Sequence, residues 1–391
     1  MSAENWKTVK LGDICDYVVE KVETSILSNE NYISTENMLQ NKAGIVSATI
    51  LPNIRQTLSF SIGDILVSNI RPYFKKIWKA KFLGGCSNDV LVFRAKSGID
   101  KNFFYYVLSS DNFFDYATAT AKGTKMPRGD KVSIMKYELK LPPLEIQKKI
   151  AGTLSALDDK IELNNKINAN LEQQAQALFK SWFVDFEPFG GNAPKDWKVG
   201  NLLEIADYLN GLAMQKFRPK KNEKGIPVLK IKELRQGFCD GQSDLCSDNI
   251  NPEYIIDNGD VIFSWSGTLL VDIWCGGKCG LNQHLFKVSS CKYSKWFYYL
   301  WTKHYLEKFI FVASDKATTM GHIKREELKK AKILIPTPKE YETMTKIVEP
   351  IIEKIINNRI ENKYLSSLRD SLLPKLMNGE IDVSKICVPA E

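Results

Sequence analysis

The sequence has few of the features that most easily identify enzymes and membrane proteins. No segment reaches the roughly 18 consecutive apolar residues of a membrane-spanning helix, and the opening residues MSAENWKTVK contain no apolar signal segment. It contains no GxxxxGK[ST] phosphate loop, no GxGxxG after a predicted strand and no HExxH. Only three histidines are present. These absences predict a cytoplasmic, non-catalytic protein without a cofactor and without contact to a membrane.

Cysteine content gives no clear sign of a disulfide framework or of a metal. Eight cysteines without a secretion signal indicate reduced thiols. Cys239, Cys246, Cys275 and Cys279 could form a zinc site with four thiolate ligands, but their intervals do not repeat the short knuckle spacing that such sites use. We therefore expect no metal, although the sequence leaves that site open.

The charge and length are informative in a broader way. Lys and Arg number 54 against 46 Asp and Glu, giving a net charge of +8. This excess favours a polyanionic partner, although an ordinary basic protein would have the same balance. At 391 residues and 44% hydrophobic content, the chain is long enough for two or three folded domains.

A heptad pattern begins after Pro143 and runs to Trp182. Steps of four and three residues connect apolar positions over about 30 residues, with two asparagines in the middle, which is typical of a coiled coil. The pattern consists of Ile150, Leu154, Leu157, Ile161, Asn164, Asn168, Leu171, Ala175, Leu178 and Trp182. No Pro or Gly after Gly152 interrupts it, so it predicts one long helix that needs a partner.

A second heptad pattern repeats the first about 194 residues later, including its asparagine pair. It consists of Val348, Ile351, Ile355, Asn358, Asn362, Leu365, Arg369, Leu372 and Leu376. The segments before the two helices also match: DNGDVIFSW resembles SIGDILVSN, and LNQHLFKV resembles SNDVLVFR. Such a fixed offset indicates an internal duplication. Pro350 and Pro374 predict that the uninterrupted part of the second helix is the shorter one.

We therefore predict an α+β protein with two mixed α/β globular domains, separated by a long antiparallel two-helix coiled coil, with an internal pseudo-twofold repeat. The predicted boundaries are 1–143 for the first domain, 144–190 for the central helix and linker, 191–338 for the second domain and 339–391 for the last helix and tail. The helices should be antiparallel because the second domain connects the end of one to the start of the other.

The antiparallel arrangement predicts specific neighbours. Asn164 should lie near Asn362, and Asn168 near Asn358, as buried polar contacts that fix the register of the helix pair. Alternatively, these asparagines reach solvent or face another subunit, and the sequence does not distinguish the two.

The helix phrases LPPLEIQKKIAGTLSALDDKIELNNKI and LFKSWFVDFEP, together with LNQHLFKV, resemble those of the specificity (S) subunit of type I restriction-modification enzymes. The resemblance covers almost the whole chain. It implies two target-recognition domains, each reading one half of a split double-stranded DNA sequence, with the helices setting the spacer. It also implies two methyltransferase (M) subunits as partners, and restriction (R) subunits reached through the complex, which carry out the chemistry.

Two other functions remain open at this point. A coiled-coil scaffold or regulator would use the same architecture to bind proteins rather than DNA. The chain could also be the recognition part of a self-contained restriction-methylation enzyme, although the absence of catalytic motifs disfavours this.

In the first domain, polar and basic side chains follow a predicted buried strand and recur in a later glycine-flanked loop. The candidates for DNA contact are Ser68, Asn69, Arg71, Tyr73, Lys75, Lys76, Lys122, Thr124, Lys125 and Arg128. Arg71 and Arg128 are predicted to read guanine because the arginine fork matches two acceptors on that base. The lysines are predicted to contact phosphates, and each of these charges could alternatively be solvated surface.

The repeat places the candidates of the second domain. They are Lys216, Arg218, Ser264, Trp265, Ser266, Thr268, Lys316, Thr318, Thr319, His322 and Lys324. His284, in LNQHLFKV, is predicted to be structural because it lies within a strand-like phrase.

Overall fold

The computed structural model describes residues 6–315 and 322–384 of the chain. These residues form two units. Unit 1 contains Met1–Asp159 and Ser366–Glu391, and unit 2 contains Lys160–Leu365. Within the described ranges, none of the helices is both long and apolar enough to cross a bilayer.

Unit 1 begins with ten short strands and four short helices, followed by a long helix that continues into unit 2. The strands are β1 (Lys7–Lys10), β2 (Cys15–Tyr17), β3 (Lys21–Glu23), β4 (Tyr32–Ile33), β5 (Gln56–Phe60), β6 (Ile65–Ser68), β7 (Ile77–Lys79), β8 (Gly84–Cys86), β9 (Val90–Ala95) and β10 (Glu138–Leu141). The helices are α1 (Leu11–Ile14), α2 (Lys101–Ser109), α3 (Asp111–Ala119), α4 (Lys131–Ile134) and the long α5 (Leu144–Phe183).

Two four-stranded sheets organise unit 1, in the orders β2-β9-β6-β7 and β3-β5-β8-β4, and β1 pairs with β10. Alternate residues of β6 and β9 enter different cores. Ile65 and Phe93 pack with the helices, whereas Leu66 and Val92 pack toward the β3-β5-β8-β4 side of the unit. Burial on both faces explains why these strands read as continuous apolar runs in the sequence.

Unit 2 repeats this plan. Its strands are β11 (Lys198–Asn201), β12 (Asp207–Asn210), β13 (Ile226–Leu229), β14 (Leu245–Cys246), β15 (Ile255–Ile256), β16 (Val261–Ser264), β17 (Leu270–Ile273), β18 (Cys279–Leu281), β19 (Leu285–Ser289) and β20 (Lys332–Ile335). Its helices are α6 (Leu202–Ile205), α7 (Ile231–Gln236), α8 (Lys295–His304), α9 (Leu306–Asp315), α10 (Arg325–Lys330) and α11 (Pro338–Met377).

The sheet order β12-β19-β16-β17 in unit 2 reproduces β2-β9-β6-β7 in unit 1, and β11 pairs with β20 as β1 does with β10. The remaining sheets differ at one edge. In unit 2 the order is β14-β13-β18-β15, so the outer strand β14 pairs with β13, the strand parallel to β18. In unit 1 the outer strand β3 instead pairs with β5. The duplication is thus complete in one sheet and partial in the other.

The repeated Gly-Asp dipeptide marks the turn before the central strand of each unit. Gly63 and Gly259 both have φ of +90°, a conformation that favours glycine. The Asp64 carboxylate then accepts two bonds from Arg94 on β9, at 2.8 and 2.9 Å. In unit 2, Asp260 forms the corresponding ion pair with Lys287 on β19, at 3.0 Å. The dipeptide therefore joins the turn to the neighbouring strand.

Both long helices contain 40 residues. The prediction of a shorter uninterrupted second helix was wrong, because α11 continues through Pro350 and Pro374. A proline inside a helix removes one hydrogen bond and costs about 3 kcal/mol or more. Burial of Val348 and Ile352, which are 0% and 2% exposed on either side of Pro350, offsets this cost.

The two long helices contact each other within each unit. In unit 2, Asn164 donates to the Oδ1 of Asn362 at 2.9 Å, and Asn358 donates to the Oδ1 of Asn168 at 2.9 Å. In unit 1, the guanidinium of Arg369 donates to Asp158 at 2.6 Å. Within unit 2, the later of the two α5 asparagines bonds the earlier of the two α11 asparagines.

All predicted heptad residues are buried or half-buried. Some neighbours outside the heptad pattern are buried more deeply, among them Ile352, Ile356 and Leu373. Ile352 and Ile356 belong to the core of unit 2, and Leu373 belongs to the core of unit 1. The helix surface buried against the domains is therefore wider than the heptad pattern alone.

Candidate nucleic-acid interface

Unit 1 brings together two predicted segments that are about 55 residues apart in sequence. We name them the Arg71 loop (68–76) and the Arg128 loop (122–128). The backbone N–H of Arg71 donates to the carbonyl of Pro127 at 2.8 Å, and Gly129 donates to the carbonyl of Asn69 at 3.1 Å. Lys122 and Arg128 also exchange backbone bonds of 2.8 and 2.9 Å. The two loops therefore form one surface beyond the end of β6.

The Arg71 loop has an unusual backbone. Arg71 and Lys75, on either side of a short turn of 3₁₀-helix, have φ of +50° and +49°. Residues other than glycine rarely adopt this left-handed backbone conformation, and those that do are concentrated at functional sites. The Arg71 guanidinium lies 5.8 Å from the centre of the Phe74 ring, and its Nε is buried without a hydrogen-bond partner in the described part of the chain. The Oδ1 of Asn69 is likewise buried and unpartnered among the described residues.

Several of the cations predicted to contact DNA are held by carboxylates. Arg128 lies 3.1 Å from Asp89, and Lys75 lies 2.8 Å from Asp111. Lys122 is bonded to Asp130, whose pKa this contact holds well below its usual range, with further help from the backbone and side chain of Ser133. In each pair one partner is more than half exposed, so each pair contributes little to stability.

Lys42 belongs to the same surface but was missed at the sequence level. Its ammonium lies 3.0 Å from Asp111, which also binds Lys75. Partial burial opposes ionisation of Asp111, but the two ammonium groups lower the pKa of its carboxyl below its usual value. The backbone of Lys42 also donates to the carbonyl of Lys75 at 2.9 Å. Only the fold brings Lys42 here, since its local sequence contains no basic cluster.

The remaining candidates of unit 1 differ in exposure. Tyr73 is 47% exposed, and Thr124 and Lys125 lie at the surface. Lys76 is partly buried, which lowers its pKa, and its ammonium donates to the carbonyl of Thr35 at 2.6 Å.

Ser68 and Ser264 are the most deeply buried candidates. They are 3% and 0% exposed, and their hydroxyls donate to backbone carbonyls of the loops that follow them. These bonds hold each serine to the backbone of the loop that follows its strand.

Unit 2 repeats the pairing of loops around Trp265. We name the segment 264–268 the Trp265 loop. Its Trp265 carbonyl accepts from Ile323 at 2.8 Å, and Ser266 forms a β-bridge with His322. Ser266 is buried, whereas Thr268 is exposed. The segments correspond to the Arg71 and Arg128 loops by their position in the repeat.

A third segment joins this surface and was not predicted to function. The Trp265 backbone N–H donates to the carbonyl of His284 at 3.3 Å, and the two rings lie 6.1 Å apart. The Nδ1 of His284 is buried without a partner among the described residues, and Gln283 lies 3.3 Å from its other ring nitrogen. The match of LNQHLFKV to SNDVLVFR aligns Gln283 with Asp89, the partner of Arg128, and could have indicated this segment.

The other candidates of unit 2 are more scattered. Lys216 and Arg218 are exposed in a separate segment between β12 and β13. Lys324 is exposed immediately before α10. The candidates Lys316, Thr318 and Thr319 lie outside the described residues.

Two buried cysteines of unit 2 have a raised thiol pKa. Burial raises the pKa of Cys246 and of Cys275 to about 11 each. Their sulfurs donate to the carbonyls of Ile226 and Ile273, respectively. Across residues 6–315 and 322–384, no group of three or more His, Cys, Asp or Glu side chains is arranged to hold a metal ion.

The fold and these surfaces define the class. Two similar α+β units, each with polar loops joined at the end of a central strand, form a duplicated recognition protein. The family model for the type I restriction modification DNA specificity domain matches the chain twice, at residues 3–173 and 194–363. The chain belongs to this family, and it is a non-catalytic DNA-specificity subunit of a type I restriction-modification system.

Individual relatives agree with this assignment. The MjaIX specificity subunit of Methanocaldococcus jannaschii is 30% identical over 311 residues, covering 74% of this chain and 71% of the relative. The HindI specificity subunit of Haemophilus influenzae is 25% identical over an alignment of 465 positions, covering 96% of this chain and all of the relative. The crystal structure of the type I S subunit from M. genitalium has the same fold, with a TM-score of 0.58 at 16% identity over 95% of this chain and 96% of that one.

Proposed function

We propose that this subunit recognises a bipartite double-stranded DNA target, with one half-site read by each unit. The joined loops support this most directly. In both units, segments far apart in sequence are hydrogen-bonded into one polar surface beyond the equivalent central strands, β6 and β16. A recognition surface that occurs twice in one chain suits a target with two parts.

The side chains of unit 1 suggest which residues read bases and which contact phosphates. Arg71 and Arg128 are the residues proposed to read base edges, because a guanidinium can donate two bonds to guanine. Lys42, Lys75, Lys122 and Lys125 would contact phosphates, which position the protein without reading sequence. A phosphate approaching Lys42 or Lys75 would compete with the carboxylate of Asp111.

In unit 2 the surface is more aromatic. Trp265 is flanked by His284 and His322, with ring centres 6.1 and 6.4 Å away. Thr268, Lys324 and the described part of the later loop would complete this surface, and Lys216 and Arg218 would contact phosphates from a separate segment. Gln283, whose amide could bond adenine, is added to the proposed reading residues.

We infer that α5 and α11 form an antiparallel coiled coil that sets the spacer between the half-sites. The Asn164–Asn362 and Asn168–Asn358 bonds support one fixed register. The proposed domains are 1–143 and 191–338, related by a pseudo-twofold repeat, with the helical segments 144–190 and 339–391 between and after them. The exposed flanks of the helices would bind two M subunits, and R subunits would join through the complex, in the cytoplasm.

The test uses the full chain assembled with its own M subunits. Arg128→Ala should lower discrimination at one base pair of one half-site by about 1–3 kcal/mol, because a two-bond arginine contact is lost, and leave the other half-site unchanged. The measurement is the methylated motif, read by methylation-sensitive sequencing of DNA treated with each variant. Arg55→Ala is the matched control, since Arg55 is an exposed arginine of the same unit, 89% accessible and 3.7 Å from Glu23.

The proposal fails if Arg71→Ala and Arg128→Ala both leave the methylated motif and the DNA affinity as they are in the unmodified complex. A protein-binding scaffold would give this result and would not protect DNA at all.

A further inference from the structure

Arg359, on α11, connects three elements of unit 2. Its Nη1 donates to the carboxylate of Asp272 on β17 at 2.8 Å and to the carbonyl of Ile273 at 3.1 Å. Its Nη2 donates to Glu172 on α5 at 2.8 Å. One guanidinium thus joins both long helices to one strand of the domain.

Arg359 contacts β17, which forms a β-hairpin with β16. The loop of this hairpin is part of the surface proposed to contact DNA. β16 and β17 are antiparallel, with Ile262 opposite Asp272 and Ser264 opposite Leu270. The connection between them contains the Trp265 loop. A rotation of β17 against the helices would therefore move this loop, because two residue pairs separate Asp272 from the end of the ladder.

The environment makes this contact selective for arginine. The three side chains are only 27 to 31% exposed. Burial opposes the charge of Arg359, but Asp272 and Glu172 more than compensate and raise its pKa. A lysine has a single ammonium and lacks the planar fork that reaches two carboxylates and a carbonyl at once. One turn further along α11, Lys363 donates to the carbonyl of Gly276, which follows β17.

The corresponding region of unit 1 is connected differently. There the arginine of α11 is Arg369, which pairs with Asp158 on α5. Asp158 also accepts from Tyr106, so the connection leads to α2. Lys79 on β7, the strand equivalent to β17, bonds Asn102 of α2. The contacts of Arg369 thus lead through Asp158 to helix α2, whereas those of Arg359 lead to the hairpin strand β17.

We propose that Arg359 is a positioning residue: it fixes the direction of the β16–β17 hairpin against both long helices and so narrows the range of spacer lengths that the complex accepts. This inference rests on the proposed bipartite function. It does not require Arg359 to touch DNA.

The experiment compares methylation of DNA substrates that differ only in spacer length. Each carries the two half-sites of the wild-type methylated motif, with the wild-type spacer or one base pair more or less. The full chain is assembled with its M subunits as wild type, Arg359→Lys, Glu172→Gln or Arg325→Lys. Arg325 is the control, since it is an exposed arginine of unit 2 at the start of α10 that donates to the carbonyl of Tyr208 at 3.0 Å.

Arg359→Lys and Glu172→Gln should each reduce the preference for the wild-type spacer by about tenfold, the effect of about 1.4 kcal/mol of lost coupling. The bases read in each half-site should not change. Arg325→Lys should leave the preference at the wild-type value, because the bond of Arg325 to the carbonyl of Tyr208 on β12 does not join the hairpin to the long helices.

Two results would overturn the inference, and they have different meanings. In the first, the wild-type complex methylates a split motif, and the Glu172→Gln complex and any folded Arg359→Lys complex keep the wild-type preference for spacer length. This result contradicts the role of Arg359 and leaves the bipartite function standing. A wild-type complex that methylates a continuous motif contradicts the bipartite function on which the inference rests.

Discussion

The buried asparagine pair in unit 2 allows a quantitative test of whether Asn168 on α5 and Asn358 on α11 are energetically coupled. Asn358 and Asn168 are 1% and 5% exposed, and the Nδ2 of Asn358 donates to the Oδ1 of Asn168 at 2.9 Å. Asn168 also donates to the carbonyl of Ile355 at 3.3 Å. Water is nearly excluded from this pair, so either amide loses its main partner when the other is replaced.

Replacing one asparagine by leucine leaves the other amide buried and unsatisfied, which costs about 1–3 kcal/mol. Replacing both removes this penalty, because two apolar side chains then face each other. Asn168→Leu/Asn358→Leu should therefore be more stable than Asn358→Leu by about 1–3 kcal/mol. For a chain of 391 residues that corresponds to about 1–2 °C in melting temperature per kcal/mol, because the unfolding entropy grows with length.

The assay is urea unfolding of the full chain, followed by tryptophan fluorescence for the wild type, both single variants and the double variant. Asn170→Leu is the control, since Asn170 is exposed on the same helix and should change stability by less than about 0.5 kcal/mol. If the losses of the two single variants simply add in the double variant, the asparagines are not coupled and the reasoning is refuted.

Two further predictions concern pH and helix length. Burial lowers the pKa of His304, whose ring packs 5.5 Å from that of Phe179, so the unfolded state binds its proton at a higher pH than the folded state. Unfolding free energy should therefore fall as pH drops below about 6.5. This part of the pH dependence should be absent in His304→Gln, and an identical urea-unfolding profile between pH 7 and 5 in both proteins would contradict it. Inserting one heptad into both α5 and α11 at matched positions adds about 10 Å of helix, which should lengthen the DNA spacer by about three base pairs. Motif sequencing would detect this, and an unchanged spacer would show that the helices do not set it.

The local sequence pattern was sufficient to predict the two long helices. The heptad pattern predicted a long helix in each half, and α5 and α11 each contain 40 residues. Periodicity works in these segments because burial on one or two faces decides the residue type at each position. Pro350 misled the prediction because packing on both sides of a residue is not visible in its local sequence.

The candidate surfaces were predictable only as loops. The fold brings Lys42 close to Lys75, with which it shares Asp111. Arg359 forms ion pairs with Asp272 and Glu172, which are almost 90 and 190 residues away in sequence. Such contacts depend on tertiary geometry rather than on spacing. Conversely, Ser68 is polar in sequence but buried in the fold, because its hydroxyl finds a backbone carbonyl two residues later.

The central claim is that two recognition surfaces in one chain read two separated half-sites. Its most direct test is methylation-sensitive sequencing of DNA from a host that carries this chain with its M and R subunits. The account predicts one split motif, with two defined half-sites and a spacer of fixed length and undefined sequence. A continuous motif, or methylation at single half-sites without a fixed spacer, would contradict it.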